Sequence, residues 1–163
     1  MKQLISLKVN GELHEVAIEP DKTLVEVIRD ELYLTGTKIG CGGLGQCGAC
    51  TVIMDGKAVN SCLVLAIDAR DKEILTIEGV SKAGKLHPIQ QVLLDHAFIQ
   101  CGFCIPGMVL SAKALFDENP NPTEDEIKTA IAGNLCRCTG YDKQKRHYLP
   151  CKSSKERRKR DNG

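Results

Sequence analysis

The stretch KIGCGGLGQCGACTV, residues 38–52, decides how this chain is read. It places three cysteines (Cys41, Cys47, Cys50) and five glycines (Gly40, Gly42, Gly43, Gly45, Gly48) in fifteen positions, with no aromatic, acidic or proline residue between them. Thiolates are soft metal ligands, and a bare backbone turns sharply enough to bring its N–H groups against whatever the thiols hold. The other cysteines extend the pattern. Cys62 completes a first group of four, and Cys101 and Cys104 (QCGFC) with Cys136 and Cys138 (CRC) make a second. Cys151 is left over.

Compartment narrows the chemistry. The start, MKQLISLKVNGELHEV, has no long apolar run of the kind a secretory signal needs. No apolar stretch approaches the ~18 residues of a membrane helix. The expectation is therefore a cytoplasmic protein, with no membrane, whose thiols stay reduced and whose cysteine clusters bind metal instead of pairing as disulfides. Structural zinc remains the rival reading, because Cys-x2-Cys followed by a second close pair resembles a tetrathiolate site. The glycines favour iron–sulfur clusters in the first group. A cluster presents bridging sulfides as well as thiolates, and N–H groups offered by a glycine loop with φ > 0 stabilise the charge added on reduction. Cys47-x2-Cys50 followed by Cys62 fits the plant-type ferredoxin spacing, although five residues rather than four separate Cys41 from Cys47.

The sequence around these groups divides in two. Ile5, Leu7 and Val9 alternate, Asn10-Gly11 signals a two-residue hairpin, and Val16 and Ile18 alternate again. Thr23 and Glu26 form a capping box before TLVEVIRDELYL, with Leu24, Ile28 and Leu32 at helical spacing. Asp55-Gly56 marks a second hairpin and EILTIEGV a last strand. This half predicts a small mixed sheet crossed by one helix. SKAGKL, residues 81–86, reads as a linker. Beyond it Pro88 starts PIQQVLLDHAF, and Pro106 starts PGMVLSAKALF with its stripe of Met108, Val109, Ala112, Leu115 and Phe116. Thr123 and Glu126 then cap EDEIKTAIAG, which Gly133 is expected to end. In this helical half, Cys101 and Cys104 precede one helix start, where unpaired N–H groups and the helix dipole favour a negatively charged group.

Charge is unevenly distributed. Residues 1–142 carry 13 Lys and Arg against 19 Asp and Glu, whereas residues 143–163 carry 9 against 2. The basic tail lacks interleaved aromatics, so it predicts a solvated, disordered end and not a nucleic-acid site. His14, His87, His96 and His147 have no ligand spacing and are expected at the surface or at helix caps. Arg137, between two cysteines, reads equally as a counter-charge or as a surface residue. There is no P-loop, no dinucleotide fingerprint and no Ser/His/Asp or Cys/His constellation, so the chain is expected to make and break no bonds itself. Two redox centres in so small a chain make sense as a relay.

With both quartets in view, TGTKIGC, QCGACTV, QCGFCIPGM and GNLCRCTGY make residues 3–142 resemble the small iron–sulfur subunit of the molybdenum hydroxylases, the family of xanthine dehydrogenase, aldehyde oxidoreductase and carbon monoxide dehydrogenase. The resemblance implies an α+β chain: a β-grasp, plant-ferredoxin-like domain (1–80), the linker 81–86, an all-α four-helix domain (87–148) and a basic tail (149–163). It implies two [2Fe–2S] clusters, ligated by Cys41, Cys47, Cys50 and Cys62 and by Cys101, Cys104, Cys136 and Cys138. Gln100 and Cys138 would hydrogen-bond a molybdopterin carried by a large subunit. A medium subunit would carry FAD, and the whole would be a dimer of heterotrimers. Electrons would then pass singly from molybdenum through both clusters to FAD, in a complex oxidising xanthine, another N-heterocycle or an aldehyde. After CTGYDK the sequence departs from the family, which implies a weakened last helix. A free-standing two-cluster carrier and a structural zinc module are the alternatives.

Overall fold

A computed structural model describes residues 1–95 and 99–141. Two hairpins and one short strand build the sheet. β1 (Gln3–Val9) and β2 (Glu12–Ile18) pair antiparallel from Gln3↔Ile18 to Val9↔Glu12. The turn is the expected two-residue one, with Asn10 and Gly11 both left-handed (φ 54° and 88°), the mirror-image turn that matches strand twist. β3 (Thr51–Met54) and β4 (Lys57–Asn60) repeat the device across Asp55-Gly56 (φ 47° and 81°). β5 (Glu73–Leu75) lies between the hairpins, parallel to β1 and antiparallel to β3, giving the order β2-β1-β5-β3-β4. EILTIEGV is thus a strand only in its first part, and Ile77–Gly79 form a single 3-10 turn.

The crossing helix starts as the sequence predicts and ends sooner. The Glu26 carboxylate accepts the Thr23 backbone N–H (2.8 Å) and its hydroxyl (2.7 Å) at the start of α1 (Leu24–Glu26). Val27–Glu31 then widen into a π-type turn, closed by Leu32 N–H to the Val27 carbonyl (3.1 Å). Tyr33 turns left-handed (φ 57°), and Leu34 N–H reaches back to the Ile28 carbonyl at 2.9 Å. This long reach back closes the C-terminal end and takes from the helix a residue the hydrophobic pattern had placed in it. Leu24, Val27 and Ile28 pack on Ile5, Leu7, Val9, Ile18, Val52 and Ile74, all from the inner face of the sheet.

The second half holds α2 (Pro88–Asp95), α3 (Ile105–Glu118) and α4 (Glu124–Ile131) among its described residues. Cys104 occupies the cap position of α3, so Pro106 is its second residue and not its first. The Thr123–Glu126 box caps α4 in both directions. α4 stops at Ile131 with a right-handed Ala132, so Gly133 follows the helix without a left-handed turn of its own. The last helix of the expected bundle, the basic tail, Cys151, His96 and His147 lie outside the described residues.

The two halves share β3. Val52 points into the core under α1, whereas Ile53, on the opposite face, joins Val80, Ile89, Leu93, Val109, Leu110, Ile127 and Ile131. Successive strand residues face opposite sides, so one strand closes both cores. No helix among the described residues is long and apolar enough to cross a membrane.

Candidate metal centres

The first quartet is assembled by the β3–β4 hairpin and the loop that precedes it. Thr51 opposite Asn60 brings Cys50, just before β3, beside Cys62, just after β4. Ser61 reinforces the junction by donating its hydroxyl (2.6 Å) and its N–H (3.3 Å) to the Cys50 carbonyl. The loop carrying Cys41 and Cys47 is closed by Lys38 N–H to the Ala49 carbonyl (3.1 Å) and tied to the helical segment by Arg29, which donates to the carbonyls of Thr35 and Thr37.

Four of the five loop glycines are left-handed, as the sequence requires; Gly40 is not. Gly40 serves by its size instead, since a Cβ there would lie 3.0 Å from Cys47 Sγ. Within the loop, the N–H groups of Gln46 and Cys47, and then that of Leu44, point at the Cys41 sulfur and hold its thiol down to about 6. The bare backbone thus supplies the donors that the glycine pattern anticipates. Burial has the opposite effect on Cys50, pushed up to about 11.

The second quartet spans the gap between helices. Cys101 and Cys104 lead into α3, and Cys136 and Cys138 follow α4. Cys138 Sγ lies 3.5 Å from Cys101 Sγ, and Cys104 is within hydrogen-bonding reach of Cys136. Burial pushes Cys104 up to about 12. Burial also opposes ionisation of Cys136, but the hydroxyl and N–H of Thr139 outweigh it and hold that thiol below the ordinary range. Gln100 donates its amide to the Cys138 carbonyl at 3.1 Å, and both residues are exposed. Arg137 is exposed as well. His87 caps α2, accepting Ile89 N–H at 3.3 Å, as a non-ligand histidine should.

All eight of these cysteines are free thiols. Among the described residues no group of three or more His, Cys, Asp or Glu side chains is gathered so as to hold a metal ion. The thiols stand instead in close pairs: Cys41 with Cys47, Cys50 with Cys62, Cys101 with Cys138, and Cys104 with Cys136. Two pairs of soft donors set side by side, twice over, fit a two-iron cluster in each quartet better than one tetrahedral ion.

The quartets are also bolted to one another. Leu135, adjacent to Cys136, donates its N–H to the Cys47 carbonyl at 2.9 Å. Asn134, 2% exposed, donates its amide to the Gly48 carbonyl (2.9 Å) and to Thr51 Oγ1 (3.1 Å). The backbones approach so closely that a Cβ on Gly48 would lie 2.4 Å from the Gly133 carbonyl oxygen, and one on Gly107 2.4 Å from that of Gly48. Asn134, Thr139 and Tyr141 are the site residues that sequence reasoning missed. Their signal was their position within GNLCRCTGY, where small polar and phenolic groups flank two ligand-type cysteines.

Two family models match the chain in succession. Residues 7–76 match the 2Fe-2S iron-sulfur cluster binding domain, and residues 76–147 match the [2Fe-2S] binding domain. The nicotinate dehydrogenase small FeS subunit of Eubacterium barkeri is 49% identical over 87% of this chain and 90% of its own length. Among solved structures, quinoline 2-oxidoreductase from Pseudomonas putida 86 superposes with a TM-score of 0.89 at 40% identity, covering 96% of this chain and 97% of its own. The aldehyde oxidoreductase of Desulfovibrio desulfuricans gives 0.87 at 40% identity over 92% of this chain, which matches only 17% of that longer polypeptide. The chain belongs to the small [2Fe–2S] subunits of the molybdenum hydroxylases and is the iron–sulfur, non-catalytic part of an oxidoreductase.

Proposed function

We propose that this subunit relays single electrons through two [2Fe–2S] clusters, from a molybdopterin centre on a large partner subunit to FAD on a medium one. Cys41 and Cys47 would hold one iron of the first cluster, and Cys50 and Cys62 the other. Cys101 with Cys138, and Cys104 with Cys136, would do the same for the second. The observation that carries this reading is the pairing of the thiols in two quartets whose loops are joined by the Leu135–Cys47 hydrogen bond. Each cluster, when bound, supplies a one-electron redox centre.

The chain's own residues do the rest. N–H groups of the first loop and the Thr139 side chain neutralise charge on sulfur, and burial of Cys50 and Cys104 keeps water from two of the ligands. Gln100 and Cys138, exposed and joined to each other, would face the pterin, with Cys138 ligating iron at the same time. On this reading the chain divides into a β-grasp relay domain over 1–80, a linker over 81–86 and a helical domain over 87–148.

An N-heterocycle is the favoured substrate class for the complex, because relatives similar along nearly their whole length are named for nicotinate and quinoline. The assembly would be a dimer of heterotrimers in the cytoplasm, where ligand thiols stay reduced. Purification of the chain from its native source tests the reading. Co-purification with two larger chains, with molybdenum, FAD and the iron and sulfide of two clusters per small chain, is expected. A chain that purifies alone would be a free-standing carrier, and zinc in either quartet would refute the relay.

A further inference from the structure

We propose that Thr139 is a positioning residue that sets the redox potential of the second quartet by donating its hydroxyl hydrogen to Cys136 Sγ. The inference rests on the reading of Cys136 as a cluster ligand. Thr139 Oγ1 lies 3.1 Å from that sulfur. A ligating sulfur carries no hydrogen, so in this pair only the hydroxyl can donate.

The surroundings orient the hydroxyl. Tyr141 N–H approaches Thr139 Oγ1 at 3.4 Å, which occupies an oxygen lone pair and leaves the hydroxyl hydrogen free for the sulfur. Tyr141 is itself fixed in a left-handed conformation (φ 65°) that residues other than glycine seldom adopt. Its phenol holds it there by accepting the N–H of Cys136 and donating to the Asn134 carbonyl at 3.2 Å. The five residues Asn134, Cys136, Thr139, Gly140 and Tyr141 therefore close a small loop in which the backbone N–H of Cys136 is already taken. The donor on this sulfur from outside the backbone is the threonine hydroxyl.

Reduction of a cluster adds one negative charge, part of it on the ligand sulfurs, and a donor aimed at such a sulfur favours the reduced form. Cys136 is half-buried, which strengthens the effect relative to a bond in water. At Cys41 the equivalent donors are backbone N–H groups that no side-chain replacement removes. At Cys136 one donor belongs to a side chain, beside the backbone N–H groups of Thr139 and Cys138, so its contribution can be deleted on its own.

The test is an EPR-monitored redox titration of the purified complex, with dithionite as reductant, for the unaltered protein, Thr139→Val and Thr139→Ser. In Thr139→Val the reduced-to-oxidised ratio of one cluster at a fixed poise should fall about tenfold, which is 59 mV for a one-electron couple, while the other cluster does not move. Thr139→Ser should restore the original value. Unmoved potentials, equal movement of both clusters, or a serine variant that behaves like valine would each overturn the proposal. If valine prevents assembly, Thr139→Ala carries the same expectation. Loss of the cluster in all three variants would also overturn it, because the hydroxyl would then hold the centre and not tune it. Absence of both EPR signals from the unaltered complex would remove the ligand reading itself and this inference with it.

Discussion

Around Cys41 the hydrogen-bond donors are backbone N–H groups of Gln46, Cys47 and Leu44, delivered by a loop in which Gly42, Gly43, Gly45 and Gly48 are left-handed. Around Cys136 the donors include a hydroxyl on Thr139, whose oxygen accepts the backbone N–H of Tyr141, in a segment with a single left-handed glycine, Gly140. Both quartets present the same kind of thiol, but Cys41 is solvated by main chain, whereas Cys136 receives main-chain N–H groups together with a side-chain hydroxyl. The difference follows from what flanks each site. A hairpin end offers a loop free to wrap a sulfur, whereas the helical half presents its cysteines from the segments before α3 and after α4. The lesson is that a backbone-solvated centre depends on glycines, and one solvated in part by side chains on a few polar residues that spacing rules for cysteine do not reveal.

Removing a ligand from each quartet should give the largest separation between them. Cys50→Ser and Cys104→Ser should each lose about half of the iron of the complex, and each should abolish a different EPR signal, as ligand loss costs the metal it held. Loss of both signals in either variant would mean that the quartets assemble as one unit.

Glycine replacements come next. Gly48→Ala meets a left-handed backbone and a carbonyl oxygen 2.4 Å away, so it should cost about 4 kcal/mol in thermal unfolding. Gly43→Ala has the same backbone problem (φ 90°) but open space around it, and about 1–2 kcal/mol is expected. Equal losses at the two positions would show that the contact between the quartets is not as tight as described.

Asn134→Ala should follow at about 2 kcal/mol in urea, because it leaves the Gly48 carbonyl and Thr51 Oγ1 without their shared donor. The smallest effect concerns the iron-free chain. With its thiol held at about 6, Cys41 should be alkylated by iodoacetamide at pH 7 before buried Cys50 and Cys104, as mass spectrometry would read. The sign of the accompanying pH dependence differs between the sites. Cys41 is depressed, so its contribution to the iron-free fold is present above the ordinary thiol value of about 8.5 and is lost as pH falls through about 6. Cys50 and Cys104 are raised, so theirs is present below that value and is lost as pH rises through about 11 and about 12.

Much of this was legible in the residues. Asn10-Gly11 and Asp55-Gly56 named their turns, and Thr23–Glu26 and Thr123–Glu126 named their helix starts, while the spacing of eight cysteines sorted them into two groups of four, in which Cys101 and Cys138 stand in contact. What escaped was set by one local backbone turn and by tertiary contact. The turn at Tyr33 ended a helix that hydrophobic spacing would have extended. Gly40 was included among the flexible glycines, yet its role is to make room for the Cys47 sulfur, a distance that no local pattern encodes. The position of Asn134 within GNLCRCTGY marked it but did not name its partners, because the groups it joins lie more than eighty residues earlier in the chain.

EPR spectroscopy of the dithionite-reduced complex tests the account most directly. Sulfide-bridged iron in both quartets predicts two distinguishable S = 1/2 signals of equal spin count, with magnetic interaction between centres held by neighbouring loops. A single signal accompanied by zinc, or a reduced complex with no signal at all, would contradict it.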